Sequence, residues 1–160
     1  MGAPDGTWTI MGGLEDVDAA FRRIACATPQ FTVITIADPD TCETVYFTLP
    51  GLNFGLNSAP LAFNRYPRIA VMLARRFLGI CLDQFYDDFC ICEPDFTRDS
   101  GQIHLATILQ DLGLPLAAAK HKPMSCRFIF LGVEADFSTF GTTGQVTLGI
   151  SQERGDRIAD

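Results

Sequence analysis

The chain of 160 residues has little positive charge. Lysine and arginine together number 12, against 19 aspartate and glutamate residues, which gives a formal net charge of −7. Proteins that bind nucleic acid over their whole surface neutralise phosphates with lysine and arginine. The charge balance therefore excludes general polyanion binding. The basic residues that are present cluster, with Arg22 next to Arg23 for example, and such clusters are more often solvated surface than binding sites.

Histidine is scarce, and cysteine lacks the spacing of a metal centre. The two histidines, His104 and His121, have no partner at ligand spacing, and the six cysteines include no Cys-x-x-Cys pair. We therefore predict neither a zinc site nor a disulfide framework, and we expect buried free thiols. The chain also has no basic leader before an apolar core and no run of about 18 apolar residues. These absences predict a soluble protein of the cytoplasm or nucleus, not secreted and not bound to a membrane.

The most informative stretch is residues 81–93, CLDQFYDDFCICE. Apolar and β-forming residues flank a Tyr-Asp-Asp triplet, which predicts two short strands with Asp87 and Asp88 at the turn. Two carboxylates about 4 Å apart repel each other by roughly 4 kcal/mol at an effective dielectric constant near 20. A hard divalent cation such as Mg²⁺ relieves this repulsion, since it takes carboxylate and phosphate oxygens as ligands. The alternative is a solvated acidic turn, which the apolar neighbours on both sides disfavour.

Strand and helix patterns alternate along the rest of the chain. Residues 1–13 are predicted to form a poorly ordered N-terminal segment, with a short strand at 7–11 as an alternative, that ends in a break at Gly12 and Gly13. A strand then ends near residue 17 and places Asp16 at its end. The further predicted elements are a helical turn at 18–24, strands at 31–36 and 44–49, a helix at 58–78, the acidic hairpin, a helix at 102–112, a strand run at 127–137 paired with 145–150, and the start of a helix at 151–160.

Helical periodicity also predicts which residues face the core. In the first helix the core stripe is predicted to be Ala62, Tyr66, Ile69, Leu73 and Phe77. In the second helix it is predicted to be Ile103, Ala106 and Leu109.

This order of elements predicts an α+β fold, in which an antiparallel sheet carries helices packed on one face. Asp16 and the Asp87-Asp88 pair both lie at strand ends, and strand ends that meet can build one site. Two-metal phosphoryl or nucleotidyl transfer needs carboxylates from separate elements around two cations about 4 Å apart.

From residue 14 to residue 157 the sequence resembles the palm of reverse transcriptases of the retrotransposon and retroviral type. The motifs that carry the resemblance follow the family's order and are DVDAAFRRI at 16–24, FGLNSAPLAFNR at 54–65, FYDDF at 85–89, LGLPLAAAK at 112–120 and FIFLGVEAD at 128–136. A YDD triplet alone is a weak signal, but this combination is specific. The resemblance implies a palm over residues 14–137, followed over 138–160 by a hairpin strand and the start of a truncated thumb.

The resemblance also implies an activity and a set of site residues. The activity is RNA-directed DNA polymerisation, in which two Mg²⁺ ions, or Mn²⁺ as a substitute, assist the transfer of deoxynucleotides to a primer 3′-hydroxyl. Asp16, Asp87 and Asp88 would hold the metals, and Lys120, with Lys122 as a rival, would protonate the leaving pyrophosphate. The residues implied at the nucleotide are Val17, Phe21, Phe54 and Gly55, and those implied at the primer end are Leu131 and Gly132.

Phe21 is implied to select deoxynucleotides by clashing with a ribose 2′-hydroxyl, and its alternative is a core aromatic. The implied partners are an RNA or DNA template with its primer, deoxynucleoside triphosphates, and fingers and thumb segments of a larger retroelement polyprotein. Two departures from the family pattern are the insertion at 51–53 before Phe54 and Ala19 in place of an aspartate. The alternative functions are a catalytically inactive retroelement remnant and another two-metal nucleotidyl or phosphodiester enzyme.

Overall fold

The computed structural model describes residues 8–53 and 55–159. The strands and helices are, in chain order, β1 (Ile10–Asp16), β2 (Val33–Ala37), β3 (Thr44–Thr48), α1 (Ala59–Leu78), β4 (Cys81–Phe85), β5 (Asp88–Pro94), α2 (Ser100–Asp111), β6 (Lys122–Ser125), β7 (Arg127–Phe130), β8 (Val133–Asp136), α3 (Phe140–Thr143), β9 (Thr147–Ile150) and α4 (Gln152–Ala159). Short 3₁₀ helices connect several of them, including one at Ala20–Arg23. The fold is α+β with antiparallel sheets, which confirms the predicted class at this level.

The central sheet has four strands in the order β4-β5-β1-β6. Strand β1 lies between two antiparallel neighbours and pairs with β5 over its whole length, from Ile10 opposite Pro94 to Asp16 opposite Asp88. All seven residues of β1 are buried or half-buried. The prediction of poor order is therefore wrong for residues 10–13, and residues 10 and 11 of the alternative strand at 7–11 do belong to β1. Residues 1–7 lie outside the described ranges.

The predicted break at Gly12 and Gly13 is also wrong, because β1 continues through both residues in regular register with β5, although its register against β6 shifts between Gly12 and Leu14. A Cβ atom on Gly12 would lie 2.0 Å from the ring of Phe128 in β7. A Cβ atom on Gly13 would lie 2.6 Å from the side-chain amide of Gln102 in α2. The two glycines thus let β7 approach one face of the sheet and α2 approach the other, which is the close-approach use of glycine within a strand.

Helix α1 has the predicted length but buries a different face. Its buried residues are Ala59, Phe63, Pro67, Ala70, Val71 and Ala74. Four of them, Phe63, Pro67, Ala70 and Ala74, follow predicted stripe residues by one position, which is a rotation of about 100° around the helix. Tyr66 and Phe77 from the predicted stripe are 43% and 72% exposed. Alanines 70 and 74 are fully buried because α1 approaches β4 and α2 closely, and the larger side chains are left outside.

Helix α2 confirms Leu109 as a core residue but not Ile103, which is 62% exposed. Leu105 and Leu109 are fully buried, and Gly101 and Gln102 are buried at the start of the helix. The close contact of Gln102 with Gly13 of β1 sets this orientation.

Two smaller sheets complete the fold. Strands β2 and β3 form the predicted hairpin. The run 127–137, predicted as one strand region, is itself a hairpin of β7 and β8, and β9 adds to it as a third strand. Leu131 and Gly132 form the turn between β7 and β8 with φ angles of 52° and 78°, a conformation that two-residue hairpin turns require. A helix follows β9, as predicted for residues 151–160.

All six cysteines lie within the described ranges as free thiols, and each is exposed or half-buried rather than fully buried as expected. No helix in the described part of the chain combines the length and the apolar character needed to cross a membrane.

Candidate functional site

The ends of β1 and β5 bring the predicted acidic residues together. Asp16, the last residue of β1, is the register partner of Asp88, the first residue of β5. Directly opposed residues in antiparallel strands have Cα atoms about 4.5–5.5 Å apart. Asp87 lies beside them in the two-residue turn that it forms with Tyr86, and its carbonyl oxygen accepts a hydrogen bond of 3.1 Å from the amide of Val17. Three carboxylates from chain segments about 70 residues apart therefore meet at one edge of the sheet.

The predicted position of the turn is wrong by one residue. The sequence placed Asp87 and Asp88 together at its tip, whereas the turn consists of Tyr86 and Asp87, and Asp88 belongs to β5. Tyr86 has a φ angle of 55°, in the left-handed region that the first position of such a turn needs. The shift matters because it pairs Asp88, rather than Asp87, with Asp16.

Negative charge is concentrated at this edge. Asp16 is 7% exposed and Asp88 is half-buried. Burial raises the pKa of Asp88 to about 6, and the hydrogen bond with Asp16 and the charges of Asp87 and Asp16 act in the same direction, while Lys120 opposes them. The cause is the expected one, since burial and nearby like charges both disfavour an ionised carboxylate. The site is thus short of positive charge.

Lys120 is the cation that contacts this cluster. Its Nζ atom lies 2.7 Å from Oδ2 of Asp16, and this bond raises the pKa of the ammonium group. The segment before it is fastened to β1, because the amide of Ala117 donates to the carbonyl of Asp16 and the amide of Asp18 donates to the carbonyl of Pro115, each at 2.8 Å. Of the two predicted lysines, the structure therefore places Lys120 on the carboxylates.

Lys122, the rival, lines a cavity together with Asp16 and Lys120, but it forms no ion pair within the described residues. Its backbone carbonyl accepts a hydrogen bond of 2.9 Å from Nε2 of Gln102.

A buried group that the sequence did not indicate supports this arrangement. Glu15 is 5% exposed, and its Oε1 atom lies 2.7 Å from Nδ1 of His121 and accepts a hydrogen bond of 2.9 Å from Gln102. Burial raises the pKa of Glu15, and the bonds to His121 and Gln102 moderate the shift. The segment that carries Lys120 is thus fixed to β1 through both Asp16 and Glu15. Residues 15 and 121 are 106 positions apart, and no local sequence pattern links them. The sequence therefore did not indicate that His121 has a partner.

The structure describes three of the four residues predicted to contact the nucleotide, and Phe21 and Val17 lie next to the acidic residues. Phe21 is half-buried with its ring 4.8 Å from that of Phe63, and it lines a cavity of about 300 Å³ together with Pro60, Tyr86 and Asp87. It therefore has both a core contact and a face toward the acidic turn. The side chain of Val17 is buried.

Gly55 is exposed with a φ angle of 94°. Phe54 lies outside the described residues.

The turn predicted at the primer end lies over the acidic residues. Leu131 lines a cavity of about 550 Å³ that also includes Asp16, Asp88 and Lys120. Arg154 from α4 donates a hydrogen bond of 2.8 Å to the carbonyl of Leu131, and the amide of Ser151 donates one of 3.0 Å to the carbonyl of Gly132. The turn is therefore held from behind while Leu131 faces the cavity.

The donor set suits a hard divalent cation, because every carboxylate at this edge offers oxygen ligands. Across residues 8–53 and 55–159, however, no three His, Cys, Asp or Glu side chains converge closely enough to hold an ion in the present arrangement. Oδ2 of Asp16 is engaged by Lys120, and Asp88 is partly protonated near pH 6. A cation at this edge would therefore compete with Lys120 for Oδ2 of Asp16 and with the proton of Asp88.

No protein-family model matches the chain, and no curated protein matches it. Its function must therefore be inferred from the site.

Proposed function

We propose that the chain is the palm of an RNA-directed DNA polymerase of a retroelement, which transfers deoxynucleotides to the 3′-hydroxyl of a primer. The observation that carries this proposal is the register pairing of Asp16 with Asp88, with Asp87 in the adjacent turn and Lys120 on Asp16. Repulsion within a cluster of like charges at a sheet edge destabilises the fold unless a bound cation neutralises the charge, and such clusters are therefore typical of functional sites.

Asp16, Asp87 and Asp88 are the residues that would hold two Mg²⁺ ions. When bound, such ions lower the pKa of an attacking hydroxyl and stabilise charge on a leaving pyrophosphate. The carboxylates themselves position the reaction at the ends of β1 and β5. Asp16 is buried and Asp87 and Asp88 are half-buried, which reduces the screening of these charges by bulk water.

Lys120 is the proton donor in this proposal. Its ammonium group is protonated at neutral pH, as is usual for lysine, and the hydrogen bond to Asp16 raises its pKa further. From its position beside Asp16, Nζ would donate its proton to the leaving pyrophosphate. A positioned general acid of this kind contributes about 10²- to 10⁴-fold to the rate.

Two further features favour a polymerase over another two-metal enzyme. Pro60 in the first turn of α1 and Phe21 line one cavity with Asp87, where a nucleotide sugar can pack against the Phe21 ring. Leu131 lines the cavity on the other side of the acids, where a primer terminus can rest. A phosphodiesterase needs neither a sugar contact nor a primer contact at these places.

The proposal is tested by primer extension on an RNA template. The chain is joined to fingers and thumb segments of a retroelement enzyme, and Mg²⁺-dependent incorporation of deoxynucleotides is compared with that of Asp87→Asn. We expect Asp87→Asn to lower incorporation by at least 10²-fold. Extension that persists in Asp87→Asn would rule out the proposed site, and extension by neither protein would favour an inactive remnant.

A further inference from the structure

A further cavity, smaller than the two described above, adjoins Asp16 and Asp87. Its volume is about 230 Å³, and it lies between the 3₁₀ helix at Ala20–Arg23 and the segment that leads to Lys120. Asp16, Asp18 and Asp87 are the acidic residues that line it, and Arg22 and Lys120 are the basic ones. The cavity is thus lined by charged groups of both signs.

The two basic residues differ in what they already contact. Lys120 is bound to Asp16 at 2.7 Å. Arg22 is exposed, and within the described part of the chain its guanidinium has no hydrogen-bond or ion-pair partner. Its neighbour Arg23 is paired with the carboxylate of Asp18 and also donates to the Asp18 carbonyl, so it is not available to a ligand. Arg22 is therefore the uncommitted cation of this cavity.

We propose that Arg22 binds the polyphosphate of the incoming nucleotide in this cavity. The inference rests on the proposed polymerase function and adds a binding residue to it. A polyphosphate placed beside Asp16 and Asp87 is repelled unless positive charge faces it. Cations held by the carboxylates would supply part of that charge, and the guanidinium of Arg22 adds to it. Arginine suits the role because its planar donors match two phosphate oxygens at once.

The position of Arg22 supports this geometry. It follows Phe21 directly, and Phe21 faces the neighbouring cavity in which the sugar is proposed to lie. Consecutive residues of one short helix thus line two adjoining cavities. The sugar and the phosphates of a single nucleotide can occupy these cavities with Asp87 between them, since Asp87 lines both.

The test measures binding rather than catalysis. Inorganic tripolyphosphate, dATP and deoxyadenosine are titrated separately into the 160-residue chain by calorimetry, at constant excess Mg²⁺. We expect Arg22→Gln to weaken tripolyphosphate and dATP about tenfold, which corresponds to about 1.4 kcal/mol, and to leave deoxyadenosine unchanged. Arg22→Lys is expected to retain part of the affinity because it keeps the charge but loses the paired donors.

Arg76→Gln is the matched control. Arg76 is also exposed and unpaired within the described residues, but it lies near the far end of α1, about 20 Å along the helix axis from Phe63, which contacts Phe21. We expect its affinities to stay within twofold of those of the unmodified chain. The thermal midpoint of each variant is measured as well, so that loss of folding is not mistaken for loss of binding.

Three outcomes would overturn the inference. They are unchanged tripolyphosphate affinity in Arg22→Gln, an equal loss in Arg76→Gln, and no binding of tripolyphosphate by the unmodified chain. Failure of the polymerase proposal gives a different result, in which Arg22-dependent binding persists although extension does not depend on Asp87. Asp87-dependent extension with unchanged polyphosphate affinity in Arg22→Gln would retain the polymerase and reject the role of Arg22.

Discussion

Asp88 is the residue at which stability and the proposed function oppose each other. In the folded chain its pKa is raised to about 6, above the value near 3.9 expected in the unfolded chain. A carboxyl group with a raised pKa contributes its full stabilisation of the folded state at pH values below its pKa in the unfolded chain. This stabilisation is lost as the pH rises through its pKa in the folded chain. Above pH 6 the ionised group therefore destabilises the fold in the absence of metal.

We expect Asp88→Asn to stabilise the metal-free protein at pH 7.5 and to have little effect at pH 3.5. The shift of about two pKa units sets an upper limit of about 3 kcal/mol, which solvent screening of this half-exposed group reduces to about 1 kcal/mol. For a chain of this size the midpoint of thermal unfolding should rise by about 2–4 °C. Thermal melts at the two pH values in the presence of a chelator measure the difference. A stabilisation that is the same at both pH values would argue against the raised pKa.

Strand β1 is the element on which the site depends, because it delivers Asp16 and Glu15 to opposite faces of the sheet. Successive side chains along a strand point to opposite faces of the sheet. Glu15 is held by His121 on one side, and Asp16 is held by Lys120 on the other. Close contact of β1 with both neighbouring layers is possible because Gly12 and Gly13 have no side chains.

We expect Gly12→Ala to destabilise the fold by about 1–3 kcal/mol, because the added methyl group must displace the ring of Phe128. Gly149→Ala in β9 is the matched control, since its methyl group would have no atom within 4 Å. The control should be neutral or slightly stabilising, because alanine restricts the unfolded chain. Chemical denaturation of both variants provides the comparison. Equal stability of the two variants would show that β7 does not pack on Gly12 as described.

At the scale of the whole molecule, an acidic chain of net charge −7 presents its carboxylate cluster at the edge of the central sheet. A cation that binds the folded chain and not the unfolded chain stabilises the fold by mass action. The same site therefore links metal binding to global stability, and this link can be measured without any catalytic assay.

We expect Mg²⁺ at ten times its dissociation constant to stabilise the chain by about 1.4 kcal/mol, which raises the thermal midpoint by about 3–6 °C. Asp16→Asn should abolish the shift because it removes a central ligand. Asp40→Asn makes the same change in charge at an exposed residue between β2 and β3, and it should leave the shift intact. An equal shift in Asp16→Asn would indicate that the ions bind elsewhere.

The local sequence was sufficient to identify most of the elements. The β2-β3 hairpin, the acidic hairpin of β4 and β5, and the extent of α1 follow from period-two and helical patterns that lie within windows of about 20 residues. The end of β1 at Asp16 was predicted for the same reason. Such patterns depend on neighbouring residues, so a single sequence contains them.

Tertiary structure decided what those elements contact. Lys120 rather than Lys122 reaches Asp16, His121 joins Glu15, and α1 is rotated by one residue from its predicted face. Each of these outcomes depends on partners that lie far away in the sequence. The burial of a helix face is settled by which side chains fit against the neighbouring layer, and the approach of two charged groups is settled by strand register. The local order of residues contains neither the packing of side chains between distant segments nor the register of distant strands. Composition and motifs therefore indicated the acidic residues, while packing determined what surrounds them.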